Sequence, residues 1–462
     1  MSRSTSSLLL ALALSPLAGC QRPAPPPPAA TAPPAAVAAP ARLAELDDFQ
    51  QAMTRAKAEG KALLVDAWAP WCHTCLSMQN YVLSDPSLAA LADRVVLVAI
   101  DTDREKNAGF LERYKVSVWP TFYVIDPASG EVAGLWTGSA SVREFRRFVE
   151  DGVSAIQDGH STSADANSPP RLLVTAKVAQ AAGDYPRAAA AYAQAVAAAE
   201  SGWPRRSEAL MGWLFALQQG GNTAECVRVG RAHLGDVQGA ALPADFAATL
   251  LGCAGDLPTS AATDASAARG EAIARLRAIT AQPPADASAD DVADAWNSLS
   301  LALADSGDAV GARKAQEGRL AVLERAAAAI GDPLLAQTYD YALAGAYVAL
   351  DRGDDAVAML QKRERQLPAS YEPPARLASA LAKMDRLPQA VLAIERAIAL
   401  AYGPRKLLYL KQKADILGRQ GNSAAQVATL REEVAGFKAL AKGQADPERL
   451  RDAEQRLAQA SR

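Results

Sequence analysis

Ala62-Leu63-Leu64-Val65-Asp66-Ala67-Trp68-Ala69-Pro70-Trp71-Cys72-His73-Thr74-Cys75 is the stretch on which the reading of this 462-residue chain turns. A short run of buried-type residues leads through a proline turn to two cysteines two residues apart, and a helical pattern follows. Such a pair can be half of a zinc site, a structural disulfide or a redox pair. Zinc needs four ligands; no second Cys-x-x-Cys lies nearby, and His73, His160 and His233 are far apart, so no metal is expected. Placement separates the other two. At a helix start, unpaired N–H groups and the macrodipole stabilise a thiolate. Cys72, at the exposed start, therefore reads as the nucleophile, and Cys75, one turn in, as the resolving thiol.

Working outward, residues 43–153 alternate between helix and strand. An amphipathic stretch, Leu46 to Glu59, passes through Gly60 into the run at Ala62–Val65, and a helical segment extends from the cysteines to about Leu91. Val95–Ile100 reads as a buried strand and Glu105–Tyr114 as a helix. Thr121–Ile125 and Val132–Trp136 read as two strands joined by a turn containing Gly130, before a closing helix from near Ser141. Residues 154–170, ending Ser168-Pro169-Pro170, read as a polar linker.

From 171 to 462 the pattern is helical and it repeats. Gly183-Asp184-Tyr185 is followed by Ala188, and the same frame places Cys226, Ala272, Ala312, Ala356, Ala390 and, loosely, Gln426 at the small-residue position. A small residue there lets two helices approach closely. This frame resembles tetratricopeptide repeats, whose regular period is 34 residues. Such a solenoid presents a concave surface for protein partners. Cys226 then falls on the second helix of one repeat and Cys253 on the first helix of the next. They read as a structural disulfide, as two buried free thiols, or as a substrate of Cys72. In the entropy model a bridge there stabilises by about 3–4 kcal/mol.

Composition agrees with helix-rich packing: 50% of residues are hydrophobic and only 6% aromatic. The formal charge is −3 with no long basic block, which argues against nucleic acid. Arg3, the apolar run Leu8–Leu14 and Leu17-Ala18-Gly19-Cys20 read as an export signal, residues 1–20. Its end resembles the lipobox of bacterial lipoproteins, which implies a lipidated Cys20 and a membrane anchor. Gln21, rather than Asp, implies the outer membrane. Eight prolines in residues 21–42 favour an extended stalk.

The strand and turn Val65–Cys72, together with Val118-Trp119-Pro120-Thr121 as a cis-proline loop, resemble the thioredoxin superfamily. The spread from Lys61 through Tyr81–Pro86 to Phe148 looks most like the C-terminal periplasmic domain of transmembrane thiol:disulfide interchange reductases. The resemblance implies that Asp66 is the buried carboxylate assisting Cys75. It also implies that Pro120 faces the sulfurs, with Trp71, His73, Trp119 and Thr121 lining the substrate groove. There are departures. His73-Thr74 stands where thioredoxins have Gly-Pro, so His73 either favours the Cys72 thiolate or points to solvent. Gln79 replaces a second acidic residue, and Trp119 is bulky enough to narrow the groove.

The expected fold class is an α/β thioredoxin-like domain followed by an all-α tetratricopeptide-like solenoid. The expected function is a lipid-anchored thiol–disulfide oxidoreductase of the bacterial cell envelope, facing the periplasm and reducing protein disulfides without a cofactor. Its partners would be disulfide substrates, an upstream thiol–disulfide donor or acceptor, and a protein on the repeats. The alternative is a non-catalytic scaffold in which the repeats do the work.

Overall fold

The computed structural model describes residues 47–159, 167–200 and 202–462. The expected signal peptide, Cys20 and the stalk of residues 21–42 lie outside them.

The α/β domain opens with α1 (Phe49–Glu59), capped by the Asp48 carboxylate and stopped at Gly60, whose φ of 64° is left-handed. Strands β1 (Ala62–Trp68), β2 (Val95–Asp101), β3 (Thr121–Ile125) and β4 (Val132–Thr137) form one sheet in the order β2-β1-β3-β4. The β1–β2 pair is parallel, and β1–β3 and β3–β4 are antiparallel. Period-two alternation divides β1 between two cores. Leu63, Val65 and Ala67 pack with α1 and with α3 (Ala108–Arg113), whereas Leu64 packs with Met78, Phe122, Phe145 and Phe148. Asp66 shares its parity with Leu64 and so faces the side carrying the cysteines.

The helix expected to run from the cysteines to Leu91 is broken. Helix α2 (His73–Ser77) passes into a π-helical turn, Met78–Val82, and a 3-10 segment, Pro86–Asp93, follows. Pro86 disfavours helical backbone at the preceding residue, and Asp85 is accordingly extended, at ψ 124°, with its side chain accepting from Ser87 N–H. The closing helix α4 runs Val142–Gly159, and α5 (Pro169–Ala181) begins inside the stretch read as linker. Pro169 and Pro170 start that helix because a first turn needs no N–H from them.

Consecutive helices then pack in pairs: α5 with α6 (Tyr185–Ala198), α7 (Arg206–Gln219) with α8 (Thr223–His233), and α9 (Leu242–Gly255) with α10 (Ala262–Ala281). The series continues with α11 (Ala289–Asp305) and α12 (Ala309–Ala328), then α13 (Pro333–Ala349) and α14 (Gly353–Gln366). It ends with α15 (Glu372–Lys383) and α16 (Leu387–Leu400), α17 (Gly403–Arg419) and α18 (Ser423–Ala439), and a terminal α19 (Pro447–Ala460). Six of the pair turns carry one left-handed residue: Gly183, Gly221, Gly307, Asp351, Asp385 and Gly421. Five residues after each comes the small-residue position of the repeat, from Ala188 through Gln426, at the start of the second helix. Ala188, Cys226, Ala312, Ala356 and Ala390 are buried there, and Gln426 is half-buried. The α9–α10 pair departs from the rule, since Ala272 lies mid-way along a lengthened α10.

The first helices of the pairs face the α/β domain. The inner surface expected to serve outside partners is therefore largely occupied by the chain's own domain. Lys177 on α5 sits over the Trp136 ring at 5.3 Å, Asn80 donates to Thr338 on α13 at 2.9 Å, and the Gln444 amide donates to the Thr102 carbonyl at 3.0 Å.

Candidate active site

Strand β1 delivers Trp68 to a tight turn, where Cys72 N–H donates to the Ala69 carbonyl at 3.1 Å, and Cys72 then caps α2. Cys72 and Cys75 form a disulfide with Cα atoms 5.2 Å apart, and Cys75 N–H points at Cys72 Sγ at 3.0 Å. The first cysteine is thus the one held by a backbone donor. The Trp119–Pro120 bond is cis and Pro120 is buried. Thr121 is also buried, and its hydroxyl donates to the Val118 carbonyl at 2.6 Å, fastening the loop to its own strand.

Asp66 is 1% exposed and accepts from the Gln79 amide at 3.0 Å. Gln79, which the sequence marked as a lost acidic partner, therefore orients the buried carboxylate. Trp71 and Trp119 pack with ring centroids 5.2 Å apart, and the Trp119 indole donates to the Thr102 hydroxyl at 2.8 Å. The Trp71 indole donates to Asp103 at 2.7 Å. Burial first, and then the neighbouring Asp101 charge, push the Asp103 carboxyl up to about 7, against the Trp71 hydrogen bond and the Arg405 charge.

Two expectations are corrected here. Cys72 does not stand exposed: it is 5% exposed, and its neighbours Trp71 and His73 are both bonded to the solenoid. His73 does not point to solvent. Its Nδ1 lies 3.1 Å from both carboxylate oxygens of Asp290 on α11, and its ring stacks on Tyr341 of α13 at 5.4 Å. Burial pulls the His73 pKa down, but the hydrogen bond and charge of Asp290, with Asp294, outweigh it and hold the ring above its ordinary range. Among the described residues, His73, Asp290 and Asp294 are the side chains that could hold a cation, with ligand atoms within 4.8 Å of one another.

The solenoid grips the rest of the motif too. Arg376 on α15 donates to the Trp71 carbonyl at 3.2 Å, and the Arg405 guanidinium on α17 lies 4.6 Å from the Trp71 ring centre. Tyr402 donates to Asp101 at 2.5 Å. Sequence reasoning missed Asp290, Arg376, Tyr402 and Arg405, which lie more than 200 residues from the cysteines and belong to no local motif. The one available hint was the acidic run Asp290-Asp291 behind Ser288, which also forms a helix capping box.

A Cys-x-x-Cys at a helix start, a cis-proline whose preceding Trp119 packs on Trp71, and a buried Asp on an inner strand are the decisive combination. Residues 49–152 match the family of thioredoxin-like domains. The chain is similar to the thiol:disulfide interchange protein DsbD of Pseudoalteromonas atlantica, 33% identical over 91 residues, covering 19% of this chain and 15% of that protein. The DsbD of Cronobacter sakazakii is 31% identical over 113 residues, 24% of this chain and 19% of its own. A protein disulfide isomerase-like protein of Oryza sativa is 30% identical over 107 residues, 23% and 28% of the two chains. This chain thus spans less than a third of each of these relatives. Among solved structures, a tetratricopeptide repeat protein from Parabacteroides merdae aligns over 64% of this chain and 99% of its own, at 11% identity and a TM-score of 0.37. The helical fold here rests on its own paired helices rather than on that likeness. The thioredoxin-like domain and the solenoid are separate in sequence but share the site.

Cys226 and Cys253 also form a disulfide, joining α8 to α9 with Cα atoms 6.1 Å apart, and both are fully buried. No described helix is long and apolar enough to cross a membrane.

Proposed function

We propose that this protein is a thiol–disulfide oxidoreductase of the bacterial cell envelope, anchored through a lipidated Cys20, facing the periplasm and working as a reductase of protein disulfides. The observation that carries the reading is the Cys72–Cys75 disulfide at the start of α2, inside a domain that matches the thioredoxin-like family. In the reduced form the Cys72 thiolate attacks one sulfur of a substrate disulfide, and the other substrate sulfur leaves and takes a proton. Cys75, deprotonated with Asp66 as the buried base, then attacks Cys72 Sγ and releases the second substrate thiol. Two electrons and two protons pass to the substrate, and Cys72–Cys75 returns as the disulfide. An upstream dithiol restores it. Thiol–disulfide exchange is supported by the relatives named as thiol:disulfide interchange proteins, and the anchor by Leu17-Ala18-Gly19-Cys20.

The test is to express Cys75→Ser in the native host. Loss of the resolving thiol should accumulate Cys72–substrate mixed disulfides as reducible high-mass bands, absent from the Cys72→Ser, Cys75→Ser double variant. No such bands from a folded, exported protein would overturn the enzyme reading in favour of a scaffold.

A further inference from the structure

Asp290 and Asp294 stand four residues apart on α11, so both carboxylates lie on one helix face, and that face meets His73. Asp290 has structural reasons to be there. It lies in the first turn, where the helix dipole favours a negative charge, and it pairs with His73. Asp294 has neither. It is past the first turn, and no described residue gives it a hydrogen bond or an ion pair; Arg319 and His73 act on it through charge alone. Two like charges at this spacing cost stability unless something offsets them.

The surroundings do not offset them. Asp245 and Asp291 add two more carboxylates to the field around Asp294. The nearby cations are Arg319 and Arg376, and Arg376 is already paired with Glu372 at 2.7 Å. Four carboxylates thus share one guanidinium that has no ion-pair partner of its own among the described residues. Burial first, and then their acidic neighbours, hold Asp294 and Asp245 well above the usual carboxylate range.

We propose that His73, Asp290 and Asp294 bind one divalent cation of the zinc class, shared between the thioredoxin-like domain and the solenoid. The site goes beyond the oxidoreductase reading and does not depend on it. Distance is the first ground. The three ligand atoms lie within 4.8 Å of one another, and His73 Nδ1 stands 3.1 Å from each Asp290 oxygen. Ligands held at about 2.0–2.2 Å around one zinc stand about 3–3.5 Å apart, so His73 and Asp290 already have the spacing, and Asp294 needs a swing of about 1 Å. Orientation is the second. The His73 ring stacks on Tyr341 at 5.4 Å, which fixes its plane. Access is the third. His73 and Asp294 line a cavity of about 530 Å³, which admits the ion and leaves room for water at its remaining positions. One imidazole nitrogen with two carboxylates suits zinc and its neighbours in the transition series, whereas calcium takes about six to eight oxygens. Without metal, the proton between Nδ1 and Asp290 holds the ion's place; binding releases it to solvent. The spacing of cysteines and histidines gave no sign of this site, because its ligands come from two domains.

The experiment titrates zinc chloride into the full-length protein in competition with a chromogenic chelator. Cys72–Cys75 and Cys226–Cys253 are kept oxidised and any free thiol is alkylated, so that no sulfur binds the metal. The expected result is one zinc per chain with a Kd of about 1 μM or tighter. Asp294→Asn removes one ligand without breaking a hydrogen bond or ion pair, and His73→Gln removes another. Each should weaken binding about 100-fold. Asp294→Glu restores a carboxylate and should recover most of the affinity, which separates loss of a ligand from a disturbed fold. A parent protein that binds no zinc would overturn the site. An unchanged Kd in either Asp294→Asn or His73→Gln would place the metal elsewhere and overturn it as well. Displacement of the zinc by an equal concentration of calcium chloride would overturn the nitrogen-containing ligand set.

Discussion

Replacing Asp103 by Asn should make the protein more stable at alkaline pH and remove much of the difference in stability between acid and alkaline conditions. Asp103 is 5% exposed, sits beside Asp101 and accepts the Trp71 indole at 2.7 Å. Burial and the Asp101 charge raise its carboxyl from the ordinary 3.8 to about 7. A raised acid is protonated in the folded state while it is already ionised in the unfolded chain. Folding is therefore helped fully below the unfolded value, and the help is lost as pH rises through the folded one. The rise from 3.8 to about 7 corresponds to about 4 kcal/mol, of which about 3 kcal/mol falls between pH 5 and pH 8.5. Asparagine keeps an oxygen for the Trp71 N–H but carries no charge, so the packing is preserved while the titration disappears. Urea unfolding of both proteins at pH 5 and 8.5, followed by tryptophan fluorescence, isolates this group, because every other titrating residue is common to the two. Asp103→Asn should gain on the parent by about 3 kcal/mol as pH rises across that interval. Parallel stabilities at both pH values would refute the reasoning and mean that water reaches Asp103 in solution.

Removing the second disulfide with Cys226→Ala and Cys253→Ala should cost about 3.5 kcal/mol from the 27-residue separation it closes, seen as a lower urea midpoint; an unchanged midpoint would mean the bridge adds nothing to the α8–α9 contact. In Asp290→Asn the His73 cation loses its partner, so the step that His73 imprints on the pH profile of Cys72 alkylation in the reduced protein should move to lower pH. An unmoved step would show that Asp290 does not control the charge on that ring.

Much of the thioredoxin-like domain could be read from residues because its determinants are local. The Cys-x-x-Cys, the Trp-Pro dipeptide before β3 and the strand runs each carry their signal within a few positions. The repeat frame was legible for the same reason, since a left-handed turn residue and a small residue five positions later recur along the chain. What escaped was tertiary. His73 and Asp290 are 217 residues apart, and their 3.1 Å contact depends on where the stacked helix pairs place α11 relative to the domain. The burial of Cys72 escaped likewise, because exposure judged from a helix start takes no account of what packs around it in the fold. Asp85-Pro86 was the local signal overlooked: the dipeptide alone forecasts the break before residue 91.

The repeat array touches the thioredoxin-like domain near its beginning, at Lys177 on Trp136, and again near its end, at Gln444 on Thr102. Its length is therefore a dimension of the molecule, in the way that a belt is cut to a waist. In an open solenoid, duplicating or deleting a helix pair changes the reach and little else. Here either event would carry Tyr402 and Gln444 past or short of the loop they hold. Drift in repeat number, the commonplace route by which such arrays diverge, is closed to this chain unless the domain it encircles changes size as well.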